Sequence, residues 1–159
     1  MRPAVHVEEA VREPEVDAVR ALFVEYAGTL PFDLDYQGFD NEISAFPGKY
    51  APPGGVLQLA HVDDMPAGAI GLRPLAPDVA EVKRLYVRPT YQGLGIGRLL
   101  VERVIESGRR IGYRKLRLDT IRDLMAPAEA LYRSVGFNEI PPYYENPIPN
   151  AVYYELKLT

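Results

Sequence analysis

At 159 residues and 47% hydrophobic content, the chain suits one compact domain with a single core and leaves no room for a second. The absence of cysteine excludes disulfides, thiolate metal ligands and a cysteine nucleophile. No stretch approaches the ~20 apolar residues of a membrane span, and Met1-Arg2-Pro3-Ala4 lacks a signal peptide's apolar region, so a cytoplasmic protein is expected. The net charge of −4 hides an asymmetry: residues 1–82 hold five Lys/Arg against fourteen Asp/Glu, whereas residues 83–117 hold ten against two.

Ala4 to Val7 reads as a short strand, and Pro14 is well placed in the first turn of a helix in which Val16, Val19, Leu22 and Phe23 recur at helical spacing until Gly28. A second helix is expected over Tyr36 to Ala45, then a turn-rich loop over residues 47–55. Val56 to Val62 and Ala67 to Leu72, separated by Asp63-Asp64, read as a hairpin, with Val79 to Val87 as a third strand. Ile96, Leu100 and Val104 form the buried stripe of a helix ending near Gly108, and Lys115 to Leu118 make another strand, from which point a parallel sheet is expected. Pro127 opens a last helix ending at Gly136, and Ala151 to Leu158 closes the sheet. Helices between strands define a mixed α/β fold.

The chemistry concentrates between the third strand and the helix after it. Gln92-Gly93-Leu94-Gly95-Ile96-Gly97-Arg98 follows Leu85-Tyr86-Val87 and precedes Leu99 to Arg110. Its glycines allow positive φ and close backbone approach, and the first helical amides have no partner within the helix, so this turn is built to hold an anion. Arg98-Leu99 replaces the Lys-Ser/Thr of a Walker loop, and no count from Gly93 or Gly95 completes the dinucleotide fingerprint. The basic block around the turn suits a polyphosphorylated ligand. Nucleic acid is not expected, because the chain as a whole repels it.

Gln92-x-x-Gly95-x-Gly97 resembles the pyrophosphate-binding motif of the GNAT superfamily of acetyl-CoA-dependent N-acyltransferases. Glu81-Val82-Lys83-Arg84-Leu85-Tyr86-Val87 and Ala130-Leu131-Tyr132-Arg133-Ser134-Val135-Gly136-Phe137 resemble two further signature segments, in the family's order. The resemblance implies a single domain with a mixed, mostly antiparallel sheet flanked by helices. It also implies acetyl-CoA as cosubstrate, with Gln92, Gly93, Leu94, Gly95, Ile96, Gly97 and Arg98 around its pyrophosphate and Leu85, Tyr86 and Val87 along its pantetheine arm. An asparagine that many relatives carry before the last helix is missing here, where the chain reads Asp123-Leu124-Met125-Ala126.

Glu81 is the candidate base, because a charged residue in a central strand needs a partner or a task, and it matches the family's strand glutamate. On a straight strand 81, 83, 85 and 87 share one face, with Glu81 ~13 Å from Leu85. The structural alternative pairs Glu81 with Lys83 or with Arg73 across the sheet. Tyr132 is the candidate acid: a phenol with pKa ~10 can protonate a thiolate without itself ionising at neutral pH. Phe32, Tyr36, Lys49, Tyr50, Tyr143 and Tyr144 are candidates for contacting the acceptor. His6 and His61 are isolated, so no metal site is expected.

These residues suit direct transfer of an acetyl group to a primary amine of a small molecule or peptide. The acidic first half favours a cationic acceptor, and Lys49 or Arg73 could instead hold a carboxylate. A non-catalytic acyl-CoA sensor remains an alternative, as does a nicotinamide-dependent oxidoreductase with Asp119 gripping a ribose. A homodimer is compatible with the sequence.

Overall fold

The computed structural model describes residues 2–159. Seven strands form one open sheet in the order β1-β2-β3-β4-β5-β7-β6. They are β1 (Val5–Glu9), β2 (Val56–Val62), β3 (Met65–Ala76), β4 (Val79–Val87), β5 (Lys115–Ile121), β6 (Asn138–Ile140) and β7 (Ala151–Lys157). The principal helices are α1 (Glu13–Gly28), α2 (Phe39–Ser44), α3 (Ile96–Ile111) and α4 (Ala126–Ser134).

Among the described residues only β4 and β5 pair in parallel, so the expected parallel second half is corrected to a mostly antiparallel sheet. The reason is that β7 returns between β5 and β6 and runs against both. The expected helix over Tyr36 to Ala45 is broken: Asp35–Gln37 form a 3-10 turn, Gly38 adopts φ +71°, and α2 begins at Phe39. That break leaves Gln37 in the tight turn, where it reaches the site described below. α3 runs past Gly108 to Ile111 because Gly108 packs under Leu116 and Gly112, at φ +108°, supplies the left-handed cap.

The sheet separates two cores. On one face Leu100, Val101 and Val104 of α3 pack against Ile70, Leu72, Val82, Leu116 and Leu118. On the other, Val19, Leu22 and Phe23 of α1 pack against Leu57, Leu59, Tyr50 and Tyr86. Each such side chain removed from water contributes about 1.5–3 kcal/mol before entropy is counted, which is enough to hold β4 firmly between its helices.

β4 is not straight. Lys83 lies opposite Gly71 and Tyr86 opposite Ala69, so Arg84 and Leu85 together face Ile70, and Arg84 takes φ +62°. This bulge corrects the expectation that 81, 83, 85 and 87 share one face. Lys83 and Arg84 both reach the α2 side, where each bonds Gln37, while Leu85 and Val87 turn to the α3 side. The bulge also marks where β4 and β5 part. Their pairing runs from Val79↔Lys115 to Glu81↔Arg117, and a wedge opens beyond it.

Candidate active site

Two adjoining cavities occupy the wedge. The larger, about 640 Å³, is a groove along Leu85, Tyr86 and Val87 that continues past Gln92, Gly93, Gly95, Ile96 and Gly97 to an apolar wall of Leu124, Met125, Pro127 and Leu131. Gly93 and Gly95 adopt φ +87° and +78°, and Gly95 is the residue from which α3 starts, so the α3 dipole and its first amides open onto the groove. Gln92 donates from Nε2 to the Val87 carbonyl at 3.3 Å, tying the turn to the strand. These features fit a polyphosphate at the glycine turn with an extended arm along Leu85–Val87. Leu94 is exposed and the Arg98 guanidinium donates to Ser134 Oγ at 2.8 Å; of the expected pyrophosphate residues, these two do not line the groove. The wall at residues 124–127 is apolar where the family pattern would supply an amide.

The smaller cavity, about 100 Å³, is lined by Lys83, Arg84, Asp119 and Gln37 among aromatic and aliphatic side chains. Tyr26, Leu30, Leu85, Met125 and Ala128 line both cavities, so the two communicate beside the bulge. Tyr132 lines the small cavity next to these shared residues, and its ring packs edge-on against Phe137 at 5.8 Å. Burial, reinforced by Tyr26 and Asp119, raises the Tyr132 pKa well above the ordinary phenol value, so it keeps its proton at neutral pH. Burial likewise pushes Tyr26 up to about 12.

A closed ionic network surrounds the small cavity. Glu81 sits in it but lines neither cavity. Its Oε1 lies 3.1 Å from Arg73 Nη2 across the sheet, and its Oε2 accepts from the Tyr143 hydroxyl at 2.7 Å. Arg73 and Arg84 both reach Glu42 on α2, at 3.4 and 3.1 Å. Lys83 Nζ lies 3.6 Å from Asp119 Oδ1, with both side chains buried. Burial lowers the Lys83 pKa, opposed chiefly by Asp119 and then by Glu81. Asp119 Oδ2 accepts from Tyr144, and from Asn146 Nδ2 at 2.8 Å, so the loop over residues 141–149 is strapped across the wedge.

Of the acceptor-side candidates, Phe32 and Tyr36 line the small cavity and Tyr144 bonds its Asp119, whereas Tyr143 bonds Glu81, outside both cavities. Lys49 and Tyr50 do not: Lys49 is exposed, and Tyr50 is buried against Phe23 and Phe46. The structure adds Gln37, Lys83, Arg84 and Asn146, and places Asp119 in the small cavity instead of on the glycine groove, where a ribose grip would be needed. The Glu81-x-Lys83-Arg84 run was the available signal, since three charges inside an otherwise apolar central strand have to meet one another or a ligand.

The glycine turn, the bulged strand and the wedge define an acyltransferase-type site. The chain belongs to the acetyltransferase (GNAT) family, whose model matches residues 16–137. It is 39% identical to an uncharacterised N-acetyltransferase of Schizosaccharomyces pombe, over 100% of this chain and 99% of that protein. Its fold is similar to that of a GNAT acetyltransferase of Staphylococcus aureus, with a TM-score of 0.79 at 22% identity over 98% of this chain and 100% of that one. It is also similar to a Salmonella typhimurium acetyltransferase solved with its cofactor acetyl-CoA, with a TM-score of 0.69 at 18% identity over 98% and 95% of the two chains. Among the described residues no helix is long and apolar enough to cross a membrane, and no group of three or more His, Asp or Glu residues is placed to hold a metal ion.

Proposed function

We propose that the protein transfers an acetyl group from acetyl-CoA directly to a primary amine of a small molecule or peptide while both are bound. The observation that carries this reading is the junction of the two cavities at Leu85, beside the buried Tyr132. The acetyl-CoA bound by the Salmonella neighbour and the family membership support the choice of donor. The groove amides of residues 92–98 and the α3 dipole bind the pyrophosphate, and the β4 backbone at Leu85–Val87 aligns the arm. Bound acetyl-CoA supplies a thioester whose carbonyl carbon the amine attacks.

The protein's residues then manage the protons. The amine attacks in its neutral form, having released one proton to water. As the C–N bond forms and the C–S bond breaks, the Tyr132 hydroxyl gives its proton to the sulfur and Asp119 receives the second proton lost by the amine. Both groups re-equilibrate with water before the next turnover. Glu81, engaged by Arg73 and Tyr143, acts as a positioning residue for that pair and takes the structural role the sequence also allowed. The absence of cysteine supports direct attack over an acyl-enzyme. The test is thiol release from acetyl-CoA across an amine panel, with acetylated product identified by mass spectrometry. Tight acetyl-CoA binding with no acceptor-dependent thiol release would instead favour a sensor.

A further inference from the structure

The small cavity holds an ion pair that matches an acceptor of one chemical class. We propose that the acceptor is a small zwitterion of the α-amino-acid type, with its carboxylate on Lys83 Nζ and the Arg84 guanidinium and its amine toward Asp119. This rests on the acetyl-transfer reading above.

The first argument is an inventory of donors. Lys83 has three N–H donors, of which one meets Gln37 Oε1 at 3.1 Å, while Asp119 Oδ1 at 3.6 Å is beyond hydrogen-bond length. Arg84 has five N–H donors: Nε and Nη2 reach Glu42, and Nη1 reaches the same Gln37 Oε1 at 2.5 Å. Two buried cations therefore share one neutral carbonyl oxygen and keep donors to spare at the cavity wall. A carboxylate supplies two charged oxygens at that place and makes the stronger, charge-assisted bonds.

The second argument is charge balance. Arg73, Lys83 and Arg84 face Glu42, Glu81 and Asp119 in this network, three cations against three carboxylates. The acidic excess of the first half of the chain is thus not concentrated here. A zwitterion leaves the balance unchanged, whereas a polyamine adds uncompensated charge to an enclosed site beside Lys83 and Arg84. An amine without a carboxylate leaves the spare donors unmet.

The third argument is size. An apolar protein cavity of about 150 Å³ takes benzene, so about 100 Å³ suits four or five heavy atoms. The amine nitrogen, Cα and carboxylate of an α-amino acid number five. Leu30, Phe32 and Leu34 complete the lining of the cavity.

The test compares each member of an α-amino-acid panel with its amide and with the amine left when the carboxylate is removed, using acetyl-CoA as donor. For the best amino acid, kcat/KM should exceed that of both analogues by about 10- to 10²-fold, the range expected for a hydrogen bond to a charged group. In Lys83→Met this ratio should fall toward one, with stabilisation by acetyl-CoA retained as evidence of folding. Gln37→Glu places a fixed carboxylate between the same two cations and should raise KM for the amino acid by a larger factor than for its amide, so the ratio falls here too. Turnover of amines with a ratio near one in the wild type, or an unchanged ratio in both variants, overturns the zwitterion while leaving acetyl transfer standing. Failure to acetylate any amine removes both readings together.

Discussion

Lys83 Nζ on β4 stands 3.6 Å from Asp119 Oδ1 on β5, just beyond the last residues through which the two strands pair. The ladder ends at Glu81 and the bulge follows at Arg84; this ion pair spans the gap between the parting strands, and the wedge opens beyond it. A buried pair of this kind is costly in isolation, and its neighbours offset part of that cost: Gln37, Tyr144 and Asn146 donate to Asp119, while Lys83 has only the Gln37 carbonyl oxygen besides Asp119.

Tyr132→Phe keeps the ring against Phe137 and removes only the acid. We expect kcat to fall by about 10²- to 10⁴-fold with KM for acetyl-CoA nearly unchanged, as steady-state kinetics will report. A matching loss of acetyl-CoA affinity would mean that the hydroxyl organises the groove.

Asp119→Asn and Glu81→Gln separate the two carboxylates. kcat should fall by about 10²- to 10⁴-fold in Asp119→Asn and by much less in Glu81→Gln, because of the two only Asp119 lines the acceptor cavity. In Glu81→Gln the main effect should be a lower Tm, from the weakened contact with Arg73. The reverse pattern would return the base to Glu81.

Gly95→Val forces a β-branched residue into φ +78° at the start of α3. Acetyl-CoA should raise the wild-type Tm by mass action and this variant should lose that rise, whereas NAD should give none in either protein. An equal response to NAD would contradict the assignment of the groove.

Glu129 gives a pH-dependent stability. Hydrogen bonding from Arg122 holds its carboxyl below the usual carboxylate range against the opposing effect of burial, helped by Tyr154 and Arg133. Its folded pKa is thus depressed relative to an unfolded value of ~4.3, so the stabilisation is fully present above that value and is lost as pH falls through the folded one. Glu129→Gln should therefore lower Tm at pH 7, and the gap from the wild type should shrink on acidification below about pH 4 in thermal melts.

The glycine turn and the later signature segment at 130–137 were legible because their chemistry is local: positive φ at Gly93 and Gly95, the free amides of α3, and Tyr132 one residue after Leu131 on a short amphipathic helix. In the site's charged half the Glu81-x-Lys83-Arg84 run was legible, but the arrangement of its charges was not. Arg84 adopts φ +62° without being glycine, so nothing in the strand pattern announces the bulge that brings Lys83 and Arg84 to one side. Gln37 comes to the site only because Gly38 breaks a continuous helical pattern, and Asp119 meets Tyr144 and Asn146 only once β7 has turned back against β5. β6 is three residues long with no apolar alternation, too short for a periodic signal.

The most direct test of direct transfer is an initial-rate study in which acetyl-CoA and the best acceptor from the panel are varied together, with thiol release followed alongside intact-protein mass. The account predicts intersecting double-reciprocal lines, one thiol released per amine acetylated, and no acetyl adduct on the protein. Parallel lines with an acetylated protein that passes its acetyl group to the amine, or no acceptor-dependent thiol release at all, would contradict it.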